Sequence, residues 1–553
     1  MKTPKFVVSV ATLLLCAGQS LGQSALDFLP DSLSLAFVAP NPADFVERIE
    51  GLMGEDLAAG MMGPLSDAKQ LLALDGIRGD GMFAFGVQFK EDSEEEPNEF
   101  GFIPVSDFAA LMASLDGTND SGVFVADIDG VEKYFKDIGG GYALMTGDAE
   151  AASAYKKPSG GFYKSSLADS KKIADNSEAM FIINVASAGS MLDAMGEGFA
   201  EGLAMNPAMP MEGAGEAMSA MFDQFEENTR GVVLGFDVED QGLTLMGSVQ
   251  FKEGSKWAGS FSGTGKSSSL LSKLPATPYI IAMAVDYTVP AIREFQQMMN
   301  EAGQQGENPM EQMGLNLEGV DGMGMVLGMS PGIMSGQIFA NTMTYMAGKD
   351  PKALVAKMKD IVGNANGLET EGMAFATEYT EAATDINGTP ADLWTFKFDI
   401  DPNHPAAAQL EQAMIMFPGK KMTGYTAAAK GGVVTTLSKN KGLLEQSLGA
   451  VAGEAPTLAS DDILAATAKK LPDNRFFEMY LGVGEVFNMV GAMMGFEAPE
   501  GLPPIALGMG SAKNAMTFGL SIDKRVFTTI MEMQGGMGEG MGDEMGDEDD
   551  GSF

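Results

Sequence analysis

Lys171 to Phe199 reads KKIADNSEAMFIINVASAGSMLDAMGEGF, and 298 residues further on Lys469 to Phe496 reads KKLPDNRFFEMYLGVGEVFNMVGAMMGF. Both open Lys-Lys-x-x-Asp-Asn, pass through an apolar run of strand length, and continue into a methionine-rich amphipathic stretch. Four further blocks recur in the same order. Leu29-Pro30 and Leu274-Pro275 each open a strand (SLAFVA, YIIAMAV) followed by a helix. Asp127-Ile128-Asp129-Gly130 matches Asp385-Ile386-Asn387-Gly388, each leading into an aromatic strand. Gly140-Gly141-Tyr142 matches Gly431-Gly432-Val433, and GFDVEDQGLTLMGSVQ from Gly235 matches GLSIDKRVFTTIMEMQ from Gly519. Collinear self-similarity of this kind is the sequence sign of a repeated structural unit.

The expectation is an α+β protein of two tandem similar modules, residues 29–262 and 274–534. Each would be an antiparallel sheet with helices packed on one face. The Ser/Gly/Lys-rich stretch 263–273 reads as a linker. Local signals place the elements. Asn41 caps a helix with Pro42 at its first position, and Phe45, Ile49 and Leu52 share one face. Asp350-Pro351 repeats that start, with a stripe of Leu354, Val355, Met358, Ile361 and Val362 and a stop at Gly363. MFAFGVQF from Met82, VVLGFDV from Val232 and LTLMGSVQF from Leu243 read as strands, and Glu239 to Gly242 as the hairpin turn between the last two. Strands joined by tight turns run antiparallel. Lys90 to Glu99 (KEDSEEEPNE) reads as a charged loop between strands.

The first 22 residues form an export signal. Lys2 and Lys5 are the basic region, and Phe6 to Ala17 is an apolar run too short for a bilayer core of about 30 Å. Ser20 and Gly22 supply small residues before cleavage at Gln23. Leu15 before Cys16 is not the small residue that a lipoprotein signal requires. The expected location is therefore periplasmic or extracellular, with no transmembrane segment after signal cleavage. Cys16, the single cysteine, leaves with the leader, so the mature chain has no disulfide and no thiol nucleophile.

The formal charge is −41, and loss of Lys2 and Lys5 takes it to −43. Such a field repels nucleic acid and anionic membranes. The partner expected is an unidentified envelope or extracellular one, with no nucleic acid. The final stretch, residues 535–553 (GGMGEGMGDEMGDEDDGSF), is dominated by glycine and acids, cannot bury a core, and is expected to be disordered. Met533, just before it, and Met537, Met541 and Met545 within it recur every fourth residue. Thioethers are soft ligands suited to Cu(I), so a metal-binding role for this tail is one alternative function. Most of the 43 methionines sit instead in apolar stretches, as flexible core fillers.

Catalytic motifs are tested and fall short. His404, the one histidine, sits in DPNHPAAAQ and reads as a helix-entry turn, which leaves Ser-His-Asp chemistry and His-rich zinc sites without support. Asp120-Ser121-Gly122 is similar to an aspartic protease signature, but Glu378 stands opposite Asp120 in the repeat, whereas the mechanism needs two carboxylates sharing a proton. Gly265-Lys266-Ser267 lacks the earlier glycine of a P-loop, since that position is Ser260. Ser-x-x-Lys at Ser66/Lys69, Ser153/Lys156 and Ser521/Lys524 has no companion Lys-Thr-Gly. Asp237-x-Glu239-x-Gln241-Gly242 starts like an EF-hand loop, but Ser248 occupies the place of the bidentate glutamate. No catalytic, cofactor-binding or metal-ligating residue is assigned, and no cofactor is expected.

The Leu-Pro openings followed by a strand and an amphipathic helix, at Leu29 to Phe45, Leu274 to Phe295 and Leu471 to Phe487, resemble those of uncharacterised exported bacterial proteins. That resemblance implies an envelope protein and carries no site residue. The function expected is that of an exported, noncatalytic envelope or secreted protein that binds a partner or ligand. A hydrolase using carboxylates alone, as glycosidases do, is the other alternative.

Overall fold

A computed structural model describes residues 24–40, 42–53, 73–79, 81–90, 97–128, 130–204, 214–239, 241–294, 318–328, 338–370, 372–414, 417, 419–494 and 499–531. Residues 1–22, read as an export signal, Asn41, most of the 90–99 segment, Ser66/Lys69, and the 535–553 tail with the methionines from Met533 onward lie outside the described residues. Contacts divide the chain into two compact units: Met1–Gly259 with Asn514–Thr517 and Asp523–Phe553, and Ser260–Lys513 with Phe518–Ile522.

The first unit contains β1 (Leu35–Ala39), β2 (Phe83–Gln88), β3 (Asn98–Pro104), β4 (Thr118–Asp120), β5 (Val123–Ile128), β6 (Val131–Gly139), β7 (Tyr142–Thr146), β8 (Ala179–Asn184), β9 (Thr229–Glu239) and β10 (Gly242–Phe251). They pair antiparallel in the order β10–β9–β8–β1–β2–β3–β7–β6–β5–β4. In β1, Phe37 and Ala39 belong to one core cluster and Ala36 and Val38 to another, because successive side chains of a strand point to opposite faces. The first cluster is closed by Phe45, Ile49 and Leu52 of the helix Pro42–Met53 and by Leu111 and Met112 of the helix Phe108–Ser114. The second is closed by Phe28, by Tyr163 and Leu167 of the helix Phe162–Asp169, and by Ile173 of the helix Lys171–Asn176.

The second unit contains β11 (Tyr279–Asp286), β12 (Gly322–Gly328), β13 (Asn341–Ala347), β14 (Glu369–Thr370), β15 (Met373–Ile386), β16 (Thr389–Ile400), β17 (Lys421–Ala429), β18 (Gly432–Thr436), β19 (Arg475–Leu481) and β20 (Ile505–Ala512); β21 is Ala515–Asp523. Their antiparallel order is β20–β19–β11–β12–β13–β18–β17–β16–β15–β14. One face is filled by Leu270, Leu271, Leu443, Leu444 and Leu464 against Ala282, Ala284, Val326 and Tyr345. On the other, Leu354 of the helix Pro351–Asn364 packs with Val320 and Val433. β12 alternates glycine with large residues for a packing reason. A Cβ on Gly322 would stand 2.8 Å from Leu270 Cδ1, and one on Gly324 3.1 Å from Leu274 Cδ2.

The α+β composition stands, but the expected architecture of two tandem modules, each with its own sheet and helices on a single face, is corrected on both counts. Among the described residues the strands are assigned to one twenty-one-stranded antiparallel sheet, and both faces carry helices within each unit. The physical reason lies in strands such as AFVA and AMFII, which are continuously apolar. A strand covered on one side alternates, whereas a strand covered on both does not.

The 263–273 stretch, read as a linker, carries the helix Ser267–Leu271. Its composition is that of a linker, but Leu270, Leu271 and Leu274 are core residues. The Glu239–Gly242 hairpin forms as read, whereas Asn98 and Glu99, read as the end of the charged loop, already belong to β3 and pair with Gln88 and Val87 of β2. Asp350 caps its helix, its Oδ1 accepting from the backbone N–H groups of Lys352 and Ala353, both at 3.1 Å. That helix runs one residue beyond Gly363, to Asn364. Asp385 to Gly388 is a two-residue hairpin loop, with Asn387 (φ 53°) and Gly388 (φ 85°) in the left-handed region that such a turn demands.

Candidate functional site

The helix Pro351–Asn364 forms one wall of a cleft. Its inner stripe, Leu354, Ile361 and Val362, is buried. Turning about the axis, Ala353, Lys357, Asp360 and Asn364 fall at intervals of three and four and so share another stripe. That stripe lines a cleft of about 790 Å³, completed by Arg293, Glu318, Gly319, Asp321, Lys349 and Asp350. Lys357 Nζ donates to the Glu318 carbonyl oxygen at 2.9 Å and so ties the 318–321 loop to the helix. The same loop is held to the sheet by the Asp321 N–H, which donates to the Ala347 carbonyl at 2.8 Å. Arg293 Nε donates to the Tyr287 carbonyl at 2.7 Å, which fixes the base of its guanidinium.

Burial pushes the Lys357 ammonium below the usual lysine range, and the charge of Glu318 opposes that shift. Within a strongly acidic chain, Arg293, Lys349 and Lys357 thus converge on one cleft. They can hold a carboxylate or phosphate group. Asp321 and Asp360 on the same walls can accept from hydroxyl or ammonium groups. Among the described residues no group of three or more His, Cys, Asp and Glu is placed to hold a metal ion.

A second polar cluster is buried in the same unit. Glu478, wholly inaccessible, accepts from Ser267 Oγ at 2.8 Å, Arg475 Nε at 3.0 Å and Tyr480 OH at 2.8 Å. The guanidinium of Arg475 also donates to the carbonyls of Pro472 (2.9 Å) and Ala468 (3.2 Å) and to Ser268 Oγ (3.0 Å). Burial pushes the Tyr480 phenol up, and the neighbouring Glu478 charge adds to the shift. Residues three apart on a regular strand face opposite ways. The register shift between Arg475 and Phe477 reunites Arg475 with Glu478 on one side. Every partner of Glu478 is internal, so this cluster locks the helix Ser267–Leu271 to β19.

The motifs weighed from the sequence find ordinary places. His404 lies in the turn before the helix Ala407–Ala413, its Nδ1 accepting from the Ala406 N–H at 3.3 Å. Asp120 ends β4 and accepts from Ser121 Oγ at 3.1 Å within a turn, while Glu378 is on the exposed strand β15, paired with Lys397. The backbone N–H of Lys266 is taken by Asp286 Oδ2 at 2.8 Å and the Ser267 hydroxyl by Glu478. Asp237 to Ser248 is the β9–β10 hairpin. Ser153 Oγ bonds back to the Ala149 carbonyl, and Ser521 lies in β21.

Sequence reasoning missed the cleft because its walls come from segments far apart in the chain. The buried cluster did leave a signal, a glutamate inside the apolar strand RFFEMYL. No helix among the described residues is long and apolar enough to cross a membrane. No family model, curated protein or solved structure matches the chain.

Proposed function

We propose that this chain is an exported, noncatalytic binding protein of the envelope or extracellular space, and that it takes a small anionic or zwitterionic solute in the cleft of the helix Pro351–Asn364. The observation that carries this reading is the convergence of Arg293, Lys349 and Lys357 on one 790 Å³ cleft in a chain of net charge −41. Cleft volumes of ~300–1,000 Å³ suit single small molecules. The same walls carry Glu318, Asp321, Asp350 and Asp360, so the cleft offers donors and acceptors of both signs, and the three cations supply the place for the anionic group of such a solute. Export rests on the basic, apolar and small-residue order of the leader.

The test is a thermal-shift screen of organic acids, amino acids and dipeptides against the wild type and Lys349→Ala/Lys357→Met. A ligand at a hundred times its Kd stabilises by about 2.7 kcal/mol, a readily measured shift. The expected result is a stabilising anionic or zwitterionic compound whose effect disappears in the double variant. A hit that shifts both proteins equally would place binding elsewhere. N-terminal sequencing of protein from the native host tests export, with a start near Gln23 expected.

A further inference from the structure

Three adjacent strands of the second unit, β19, β11 and β12, place a methionine at the same level of the ladder. Met283 of β11 is the direct partner of Met325 on β12 and of Met479 on β19. Direct partners in an antiparallel pair point to the same face, with Cβ atoms about 4.5–5.5 Å apart. That face is opposite the one carrying Ala282, Ala284 and Tyr480, which are sealed in the core. Met283, Met325 and Met479 are half-buried, so the three side chains are not sealed in the core.

We propose that Met283, Met325 and Met479 form a trithioether site for Cu(I). Thioether sulfur is a soft donor that selects Cu(I) over the harder cations. Three rotatable bonds let each side chain lean, so that two outer methionines reach inward to a central one across strands about 4.8 Å apart. The surroundings favour the same choice. Leu327, Leu481 and Leu507 occupy the same face beside the row, and Thr344 of β13, directly opposite Met325, is its polar neighbour; one hydroxyl falls far short of the oxygen ligands that Mg²⁺ or Ca²⁺ requires. The ion binds as it arrives, in its reduced state, with no electron transfer. None of the three methionines lines the cleft.

The experiment is competition for Cu(I), kept reduced with ascorbate under argon, between bathocuproine disulfonate and the full chain. Every protein carries Cys16→Ser, so that no thiol contributes. The expected result is one tightly held Cu(I) per chain that survives Met→Leu replacement of the four tail residues. That ion should be held more than tenfold more weakly after Met283→Leu, and lost in Met283→Leu/Met325→Leu/Met479→Leu. Leucine keeps the volume and apolarity of methionine, and circular-dichroism melting verifies the fold of each variant. If the triple variant does not fold, Met283→Leu alone decides the matter. Undiminished Cu(I) binding by a folded core variant overturns the proposal, as do absence of Cu(I) binding in the parent chain and loss of all binding in the tail variant.

Discussion

Phe85, Phe37 and Phe181 cross the strands β2, β1 and β8 as direct partners, and Met325, Met283 and Met479 cross β12, β11 and β19 in the same manner. Each central residue sits on the strand between a close and a distant neighbour in sequence, and both rows occupy the middle of a ladder with the same pairing order. The filling differs. Phe37 and Phe85 are 3% and 2% exposed beneath the helix Pro42–Met53, and the Phe37 and Phe181 rings meet edge to face at 4.8 Å. The methionines are half-buried. Phenylalanine in such a row is fixed by two torsions and by ring geometry. Methionine is flexible, polarizable and able to donate electrons. One pairing scheme therefore serves a rigid core in one unit and an adaptable, donor-bearing surface in the other.

Alanine substitution at the two central positions is the strongest way to break this comparison. Phe37→Ala opens a cavity in a closed cluster and should cost about 3–5 kcal/mol. Met283→Ala removes a half-buried side chain and should cost about 2 kcal/mol, at the low end for methionine. Urea midpoints of the single variants measure both. Equal costs would mean that the methionine row is packed as tightly as the phenylalanine row.

The buried polar stations sharpen the contrast. In the first unit, the neutral Gln250 amide donates to the Ser166 carbonyl at 2.7 Å and Ser170 Oγ at 2.8 Å, and accepts from Arg230 at 2.8 Å. The corresponding burden in the second unit falls on the charged pair Glu478 and Arg475. Glu478→Gln keeps the shape but removes charge-assisted bonds to Arg475, Ser267 and Tyr480, for an expected loss of about 2–3 kcal/mol. Gln250→Ala should cost about 1–2 kcal/mol, since it removes neutral bonds along with one to Arg230. If Glu478→Gln is neutral in urea unfolding, the charge there is incidental to the fold.

Some of this was legible in the sequence and some was not, for identifiable reasons. The Asp350-Pro351 helix start, the Glu239–Gly242 hairpin and the Asp-Ile-Asn-Gly turn were readable because each depends on a few adjacent residues with special backbone or capping chemistry. Coverage of both sheet faces was written in the uninterrupted apolar runs AFVA and AMFII, and the expectation of single-face packing passed over that signal. The helix Ser267–Leu271 was hidden by serine and glycine, although Leu270, Leu271 and Leu274 already had core spacing. Arg475 and Glu478 could not be paired from spacing alone, because a regular strand would set them on opposite faces and only the bulge reunites them. The cleft was beyond reach for another reason: Arg293, Asp321, Lys349 and Lys357 meet only through tertiary structure.

The smallest expected effect concerns the outlying hairpins of the two units. In β5–β6, Asp127 and Glu132 stand directly opposite each other, a like-charge pair. In β15–β16, Lys397 reaches Glu378 across the strands, and Lys359 of the neighbouring helix reaches Glu381. The hydrogen bond from Lys397 and its charge hold the Glu378 carboxyl below the usual glutamate range, and Lys359 does the same for Glu381. A carboxyl whose folded value is depressed contributes stability that is fully present above its unfolded pKa of about 4.3. That contribution is lost as the pH falls through the lower folded value. Glu378→Gln and Glu381→Gln should therefore lower the urea midpoint slightly at pH 7, and the difference from wild type should shrink as the pH falls below the unfolded value and through the lowered folded one. Both groups are exposed, so raising the ionic strength at pH 7 should shrink the difference as well. Asp127→Asn should act in the opposite sense, raising the midpoint at pH 7 by relieving the repulsion from Glu132. A fall in the midpoint for all three variants would mean that charge pairing does not distinguish the two hairpins.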